Sequence, residues 1–470
     1  MALKSKKKQE NDFGLSLPKS RRNIIVVLFS ILFIYILTGF VNPAKALPSW
    51  PSGLSDIVPR GKIISRNGTV FAEGLAEHRR YPQDDLAAHI IGFSGKKQDD
   101  GRYGLEGLEY SKDKILQKGQ NLVITIDPNI QAITQAFLKE TIIAQEAENG
   151  TAVVLEAGTG RILASASYPD YNLNKQSSVY DRSIIINKAF LNLFEPGSVM
   201  KPFVVASLLE SGKLNLDEYI DTPMTKTVGE KTFRDVAHHA SPMNAWDILR
   251  FSSNTGMINL SGRFTDKELY NWLKHFGFGT DVGLSSAYTR AASIRSPKWY
   301  PQDHASITIG QSISTTTLQL AALYSIFAND GVYIPPYLIE SEKQENARQV
   351  ISIETARTIR AMLKYVVDNS SLAKIMPKGS SIGGKTGTAD IYNNALGRYI
   401  KGDFSLTFAG MFPIENPKLT IVVSLQKPQK DVSSTYVAAP LFAKIQEAIS
   451  ALWQTSPKQN SYADFGSREY

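Results

Sequence analysis

A chain of 470 residues with 43% apolar side chains has room for two to three domains and a sizeable core, and is too apolar for wholesale disorder. Its formal charge of +8 is concentrated at one end: before Asn23, seven lysines and arginines face only Glu10 and Asp12, a net of +5 that leaves +3 for the rest. That placement argues against a nucleic-acid surface, and the lack of any cysteine excludes disulfides, thiolate metal sites and cysteine nucleophiles.

In chain order, residues 1–22 read as a basic cytoplasmic tail and 23–41 as a transmembrane helix. Residues 24–41 carry no charge and are mostly Ile, Leu, Val and Phe. As a helix they span roughly 27 Å, close to the ~30 Å hydrocarbon core of a bilayer. The Lys/Arg excess before them predicts a single-pass protein with a cytoplasmic N-terminus and an exported remainder. Ala44-Lys45-Ala46 resembles a small-x-small cleavage site. The apolar run exceeds the about 7–15 residues of a signal-peptide core, so an uncleaved anchor is the stronger reading.

Residues 42–118 are expected to form a linker, rich in Pro, Ser and Gly up to residue 55, and a short pedestal domain. A large domain over 119–454 opens with an alternating, strand-like stretch at 121–127. Asp127-Pro128 then predicts a helix N-cap with proline at the first helical position, followed by Ile130, Ile133 and Phe137 at helical spacing. Residues 151–155 and 161–166, flanking Glu156-Ala-Gly-Thr-Gly160, predict a β-hairpin. Residues 405–412 and 419–425 are strand-like, 437–453 predict a helix, and 455–470 a loose polar tail. No internal repeat is present.

Three short motifs carry the chemistry: Ser198-Val199-Met200-Lys201, Ser252-Ser253-Asn254 and Lys385-Thr386-Gly387-Thr388. Singly they are weak. Ser-x-x-Lys also begins at Ser5, Ser16, Ser94, Ser111, Ser371 and Ser424, and Ser-x-Asn at Ser65, whereas Lys-Thr-Gly occurs once. Their order and spacing are the specific signal. Ser198 follows Pro196-Gly197 and precedes an apolar helical stretch, which places it at a helix N-terminus, where backbone N–H groups and the dipole favour a developing anion. Lys201, three residues on, shares its helical face. A neutral amine there takes the serine proton, provided that burial or a second cation lowers its pKa, and Lys385 is the evident second cation. The hydroxyl of Ser252 suits proton relay, and the amide of Asn254 suits holding Lys201 and bonding a substrate peptide group. Lys385 to Thr388 read as a strand. Gly387 permits close approach of a substrate backbone, and Thr386 and Thr388 offer hydroxyls to a carboxylate beside the Lys385 charge. Each motif alone has a blander reading: an N-cap serine, a polar turn, an edge strand.

His238-His239 raises the question of a metal. No His-Glu-x-x-His spacing accompanies it, and a polar loop is the expectation. The acid pairs Asp84-Asp85 and Asp99-Asp100 are sequence neighbours in polar stretches, unlike the opposed carboxylates of a glycosidase. No cofactor is expected.

The ordered trio resembles the signature of serine penicillin-binding proteins and class A β-lactamases. Arg60-Gly-Lys-Ile-Ile-Ser-Arg-Asn-Gly68 and Ala88-His-Ile-Ile-Gly-Phe93 with Gly104-Leu-Glu-Gly-Leu-Glu109 resemble the pedestal patches of class B penicillin-binding proteins. Phe194-Glu-Pro-Gly-Ser198, Ile309-Gly-Gln311, Thr317-Leu-Gln-Leu320, Phe408-Ala-Gly-Met-Phe-Pro413 and Tyr436-Val-Ala-Ala-Pro440 resemble the division-specific, FtsI-type branch. The resemblance covers about residues 60–453. It implies an α/β (α+β) transpeptidase fold of the serine β-lactamase kind, with a mainly antiparallel sheet flanked by helices. It further implies septal peptidoglycan cross-linking: Ser198 attacks the bond between the terminal D-alanines of a stem peptide, D-alanine leaves, and a neighbouring stem's amine resolves the acyl-enzyme. The N–H groups of Ser198 and Thr388 form the implied oxyanion hole, and β-lactams are implied inhibitors that acylate Ser198. Ser65 stands where the family usually has Asp, and Ser312 where Gly is common. The short pedestal has no room for a glycosyltransferase, so a SEDS-type (FtsW-like) polymerase and other divisome proteins are the implied partners. The alternatives are an elongation-type class B enzyme, a D,D-carboxypeptidase, a β-lactamase, a β-lactam-sensing membrane receptor and a non-catalytic divisome subunit. The 22-residue tail leaves no evident signalling domain for a receptor.

Overall fold

The computed structural model describes residues 59–455, apart from 179–180, 285, 344 and 394–395. The expected cytoplasmic tail, transmembrane helix, linker to residue 55 and nearly all of the C-terminal tail lie outside the described residues. Among the described residues no helix is long and apolar enough to cross a membrane.

The segment after residue 59 forms a small sheet from β1 (Ile63–Ser65), β2 (Val70–Gly74), β3 (Arg79–Arg80) and β4 (Leu122–Ile124), in the order β3-β2-β1-β4. The strand expected to open the large domain therefore pairs, in parallel, with β1. The chain enters the larger body just beyond it, where Thr125 donates to Leu338 O and Asp127 N to Leu163 O. A buried ion cluster ties this region together. Arg60 donates to Glu109 Oε2 (2.6 Å), Asp113 Oδ1 (2.8 Å) and Glu109 O (2.8 Å), and Arg79 Nε to Glu109 Oε1 (2.6 Å). Two sequence patches 49 residues apart thus meet in one network. Ser65 accepts from Thr69 N through its hydroxyl (3.0 Å) and closes the β1–β2 turn.

The larger body begins with α1 (Pro128–Gln145), where Asp127 caps by accepting from the N–H groups of Asn129 and Ile130 and Pro128 occupies the first turn. The hairpin β5 (Asn149–Glu156) and β6 (Ile162–Tyr168) follows. Then come α2 (Lys201–Glu210), the hairpin β7 (Thr225–Val228) and β8 (Lys231–Arg234), α3 (Ala245–Arg250), α4 (Asn254–Ser261), α5 (Thr317–Ala328) and α6 (Ile353–Asp368). Three strands, β9 (Gly383–Asn393), β10 (Arg398–Phe412) and β11 (Leu419–Gln426), and the helix α7 (Ala438–Thr455) complete it.

The central sheet has the order β9-β10-β11-β5-β6 and is antiparallel throughout. Strand alternation explains its three layers. On one face a Cβ at Gly150 would stand 2.4 Å from Ile142 of α1, and one at Gly410 would stand 3.0 Å from Phe442 of α7, so glycines admit those helices. On the other face Thr151 hydrogen-bonds Thr317 at the start of α5 (2.6 Å), and every residue of α5 is buried. That helix is apolar all round because it lies in the core and needs no polar stripe. The fold class expected from sequence is the one observed.

Candidate active site

The first motif falls on a 3-10 turn, Gly197–Met200, that leads directly into α2. In a 3-10 turn side chains three apart eclipse one another, so Ser198 and Lys201 share one direction more closely than an α-helix would give. The turn is wedged in place. Gly197 has φ +59, donates its N–H to Gly310 O (2.9 Å), and has no room for a Cβ, which would lie 2.9 Å from Thr388 O. Ser198 is partly exposed and lines a cleft of about 580 Å3 together with Ser252, Asn254, Lys385, Thr386 and Thr388.

Lys201 is wholly buried beneath this cleft. Its Nζ donates to Ser252 O (2.5 Å), Asn254 Oδ1 (2.8 Å) and Ser252 Oγ (3.2 Å). Burial, helped by the nearby charge of Lys385 and opposed by Asp235, holds its pKa well below the ordinary lysine value. The geometry that aims two oxygens of Ser252 at one amine is an unusual backbone: Ser252 has φ +56, left-handed for a non-glycine.

Lys385 on β9 is also fully buried, and burial pushes its pKa down to about 7. The unfolded chain binds this proton up to the ordinary value near 10.5, so folding is favoured increasingly as pH rises between those values. Measured as wild type minus Lys385→Met, urea stability is expected to climb from pH 7 to pH 10; a flat difference would refute a buried amine at this position. Gly387 has a structural reason of its own. A Cβ there would come within 2.5 Å of Pro196 O and 3.1 Å of Val199, so the space is taken by the nucleophile turn of the same chain. Thr388 Oγ1 pairs with Ser434 Oγ (2.7 Å), and Ser434 also donates to Gly387 O. The structure therefore brings Ser198, Lys201, Ser252, Asn254, Lys385, Thr386, Gly387 and Thr388 into one place.

No motif in the sequence marks Asp235 or its contact with His239. The buried carboxylate of Asp235, just after β8, accepts from Asn254 N (2.5 Å) and Thr255 N (3.0 Å) through Oδ1. Through Oδ2 it accepts from Ser253 Oγ (2.5 Å), Thr255 Oγ1 (3.0 Å) and His239 Nε2 (2.8 Å). Burial alone would raise its pKa, but these donors outweigh burial and hold it below the usual carboxylate value. His238-His239 lie in a loop, as expected, with His238 exposed and the His239 side chain turned inward and buried against Asp235. Among the described residues no group of His, Asp or Glu is arranged to hold a metal. The amide Nδ2 of Asn254 donates to Arg234 O (2.8 Å), which leaves one N–H for the cleft. Ser312 has φ +58, the conformation for which glycine is suited.

A partly exposed serine on a tight turn, over a buried amine whose acceptors are a hydroxyl and an amide, is equipped for acyl transfer through a covalent serine ester. Residues 150–447 match the model of the penicillin binding protein transpeptidase domain. The chain is 30% identical over 412 residues to a probable peptidoglycan D,D-transpeptidase, PenA, of Neisseria gonorrhoeae, covering 82% of this chain and 70% of that protein. It is 28% identical over 408 residues to peptidoglycan D,D-transpeptidase FtsI of Escherichia coli, covering 81% and 68%. Among solved structures, penicillin binding protein 3 of Mycobacterium tuberculosis complexed with ampicillin superposes with a TM-score of 0.77 at 30% identity, covering 86% of this chain and 97% of that one. The chain belongs to the penicillin-binding protein transpeptidase family, among the class B proteins.

Proposed function

We propose that this chain is a peptidoglycan D,D-transpeptidase acting in septal wall synthesis. The observation that carries the reading is Lys201, three residues beyond Ser198, buried, with its pKa held well below the ordinary lysine value, and bonded to both Ser252 and Asn254. Ser198 Oγ gives its proton to Lys201 Nζ and bonds to the carbonyl carbon between the two terminal D-alanines. As the C–N bond breaks, the proton passes through Ser252 Oγ to the departing D-alanine nitrogen. An acceptor amine from a second stem peptide then attacks the ester carbonyl and loses its proton to Lys201; the C–Oγ bond breaks and Lys201 returns the proton to Ser198 Oγ. The N–H groups of Ser198 and Thr388 lie on two segments in contact and serve the oxyanion, where one donor is typically worth ~2.7–4 kcal/mol. Thr386, Thr388 and Lys385 take the substrate carboxylate, and Gly387 keeps β9 against the turn. A β-lactam, which carries the same acyl and carboxylate groups, acylates Ser198; the ampicillin complex of the M. tuberculosis relative supports this.

The septal assignment rests on the FtsI-type segments, with an elongation-type enzyme as the nearest rival; midcell against side-wall fluorescence of a tagged chain separates them. Residues 23–41 are proposed as an uncleaved inner-membrane anchor that holds the catalytic domain on the outer side, next to an FtsW-like polymerase. The proposed domains are a pedestal ending near residue 118 and a catalytic domain over 119–454, whose first strand, β4, completes the pedestal's sheet. For the chemistry, the purified full-length chain and Ser198→Ala are incubated with fluorescent penicillin and followed for hours on a denaturing gel. A long-lived adduct absent from the variant is expected. Rapid loss of label with hydrolysed drug would indicate a β-lactamase, and no adduct from folded protein would sink the reading.

A further inference from the structure

Two side-chain amides, Asn254 and Gln311, line the catalytic cleft, and a lysine holds the oxygen of each. Asn254 Oδ1 accepts from Lys201 Nζ (2.8 Å), and Gln311 Oε1 accepts from Lys231 Nζ on β8 (2.8 Å). The Lys231 ammonium, which also stands 5.0 Å from the centre of the Phe233 ring, has hydrogens to donate and no lone pair. It therefore fixes which end of the Gln311 amide it meets, and the NH2 end is turned away from it. Among the described residues nothing takes either N–H of Gln311 Nε2. We propose that Gln311 is a substrate-binding residue whose Nε2 donates to the carbonyl oxygen of the peptide group preceding the scissile bond in the donor stem, with Lys231 as the positioning residue behind it. The inference rests on the reading of the chain as an acylating transpeptidase and concerns how that enzyme selects its acyl donor.

The backbone that carries Gln311 is fixed to the nucleophile turn on both sides. Gly197 N donates to Gly310 O (2.9 Å), and Ser312 N donates to Glu195 Oε1 (2.9 Å). Gln311 N itself donates to Ser306 O (2.9 Å), and Lys231 holds the hydroxyl of the same serine (3.3 Å). The rest of the cleft already divides the substrate. Lys385, Thr386 and Thr388 take the carboxylate, and the N–H groups of Ser198 and Thr388 take the scissile oxygen. What is left is the preceding peptide group, whose carbonyl oxygen has two lone pairs and accepts from two amides. Asn254 keeps one N–H for it, after giving the other to Arg234 O. An attacking amine or water needs an acceptor for its proton, which the NH2 end of Gln311 is not. Donors desolvated by a substrate without that carbonyl are left unpaired, so the site discriminates against such acyl donors.

The test compares two β-lactams on the full-length chain, each timed by competition with fluorescent penicillin. Benzylpenicillin carries a side-chain amide that supplies the carbonyl; imipenem carries a hydroxyethyl group in its place. In Gln311→Leu the ratio of the two acylation rates, benzylpenicillin over imipenem, is expected to fall about tenfold, the loss of one hydrogen bond to the acyl donor. Gln311→Glu keeps the shape and the oxygen for Lys231 but puts an acceptor where Nε2 stood, and its ratio is expected to fall at least as far. Lys231→Met is expected to give a smaller fall, and no further fall in the Gln311→Leu background, because it acts only through the amide. A ratio unaltered in the Gln311 variants, whether both drugs are slowed in parallel or neither is, marks a merely structural role and overturns the proposal. A Lys231→Met effect that adds in full to Gln311→Leu overturns the role given to Lys231. If one Gln311 variant does not fold, the other decides. Failure of the underlying reading looks different: the wild-type chain takes no label from either drug.

Discussion

Lys201→Met is expected to slow acylation of Ser198 by penicillin about a thousandfold while leaving the chain folded. The rate effect follows from losing the proton acceptor, since a positioned general base contributes roughly 10²–10⁴. Stability is expected to change little because two effects oppose each other. Three oxygens, Ser252 O, Ser252 Oγ and Asn254 Oδ1, lose their donor, at about 1–3 kcal/mol for each left buried without a partner. Against that, the folded state no longer shelters an amine that burial disfavours in its charged form. Ser252 and Asn254 also border the cleft and regain water there. The pH profile gives an independent check. Wild-type acylation is expected to rise with pH through a value well below the ordinary lysine range, and the residual rate of Lys201→Met to lack that limb. A variant within tenfold of wild type would remove Lys201 from the chemistry.

Arg60→Ala is expected to be the most damaging single change outside the catalytic region. The guanidinium serves Glu109 and Asp113 where both carboxylates are almost without solvent contact. Removing one partner of such a cluster typically costs about 3–5 kcal/mol, because the remaining charges stay buried without compensation. Arg79 still reaches Glu109 Oε1 and limits the loss there, whereas Asp113 keeps only neutral donors from Tyr103 N, Gly104 N and Gln117. The measurement is thermal unfolding of Arg60→Ala beside Arg60→Met/Glu109→Gln, in which the buried charge imbalance is smaller and part of the stability returns. Penicillin labelling well below the melting temperature is expected to survive in both. A melting temperature unchanged in Arg60→Ala would mean that the cluster is solvated in solution.

Much of this was legible in the sequence, for local reasons. Alternating apolar residues mark β10 and β11, and Asp127-Pro128 marks the start of α1, because strand period and helix capping are properties of neighbours. The three motifs name the residues around the cleft because their spacing is local within each motif. What the sequence does not display is what depends on distant segments meeting. Asp235 and His239 lie in a polar stretch with no periodicity, and their importance appears only when Ser253, Asn254 and Thr255 fold onto the carboxylate. An acid followed four residues later by a histidine is the single hint. The left-handed backbone of Ser252 and the 3-10 form of the nucleophile turn are likewise imposed by packing against Lys201, Gly310 and β9. In the sequence Gly387 suggests room for a substrate backbone, whereas in the fold the nearest atom to a Cβ there is Pro196 O.

The sheet order carries a consequence for how the molecule comes into being. β11 pairs with β5 in a register that joins Leu419 to Glu156, so the middle of the sheet closes only after more than half the chain has been made. Ser198, Lys201, Ser252 and Asn254 all lie in the long excursion between β6 and β9 and have no scaffold until that closure. During synthesis β5 is an open edge, and α5, apolar on every side, has nothing to cover it. Contacts this remote in sequence make for slow folding, because the entropy of closing the loop is lost before any pairing compensates it. The nucleophile and its base are therefore assembled last and together, and a chain cut short before β9 is left with neither a complete sheet nor an acylating serine.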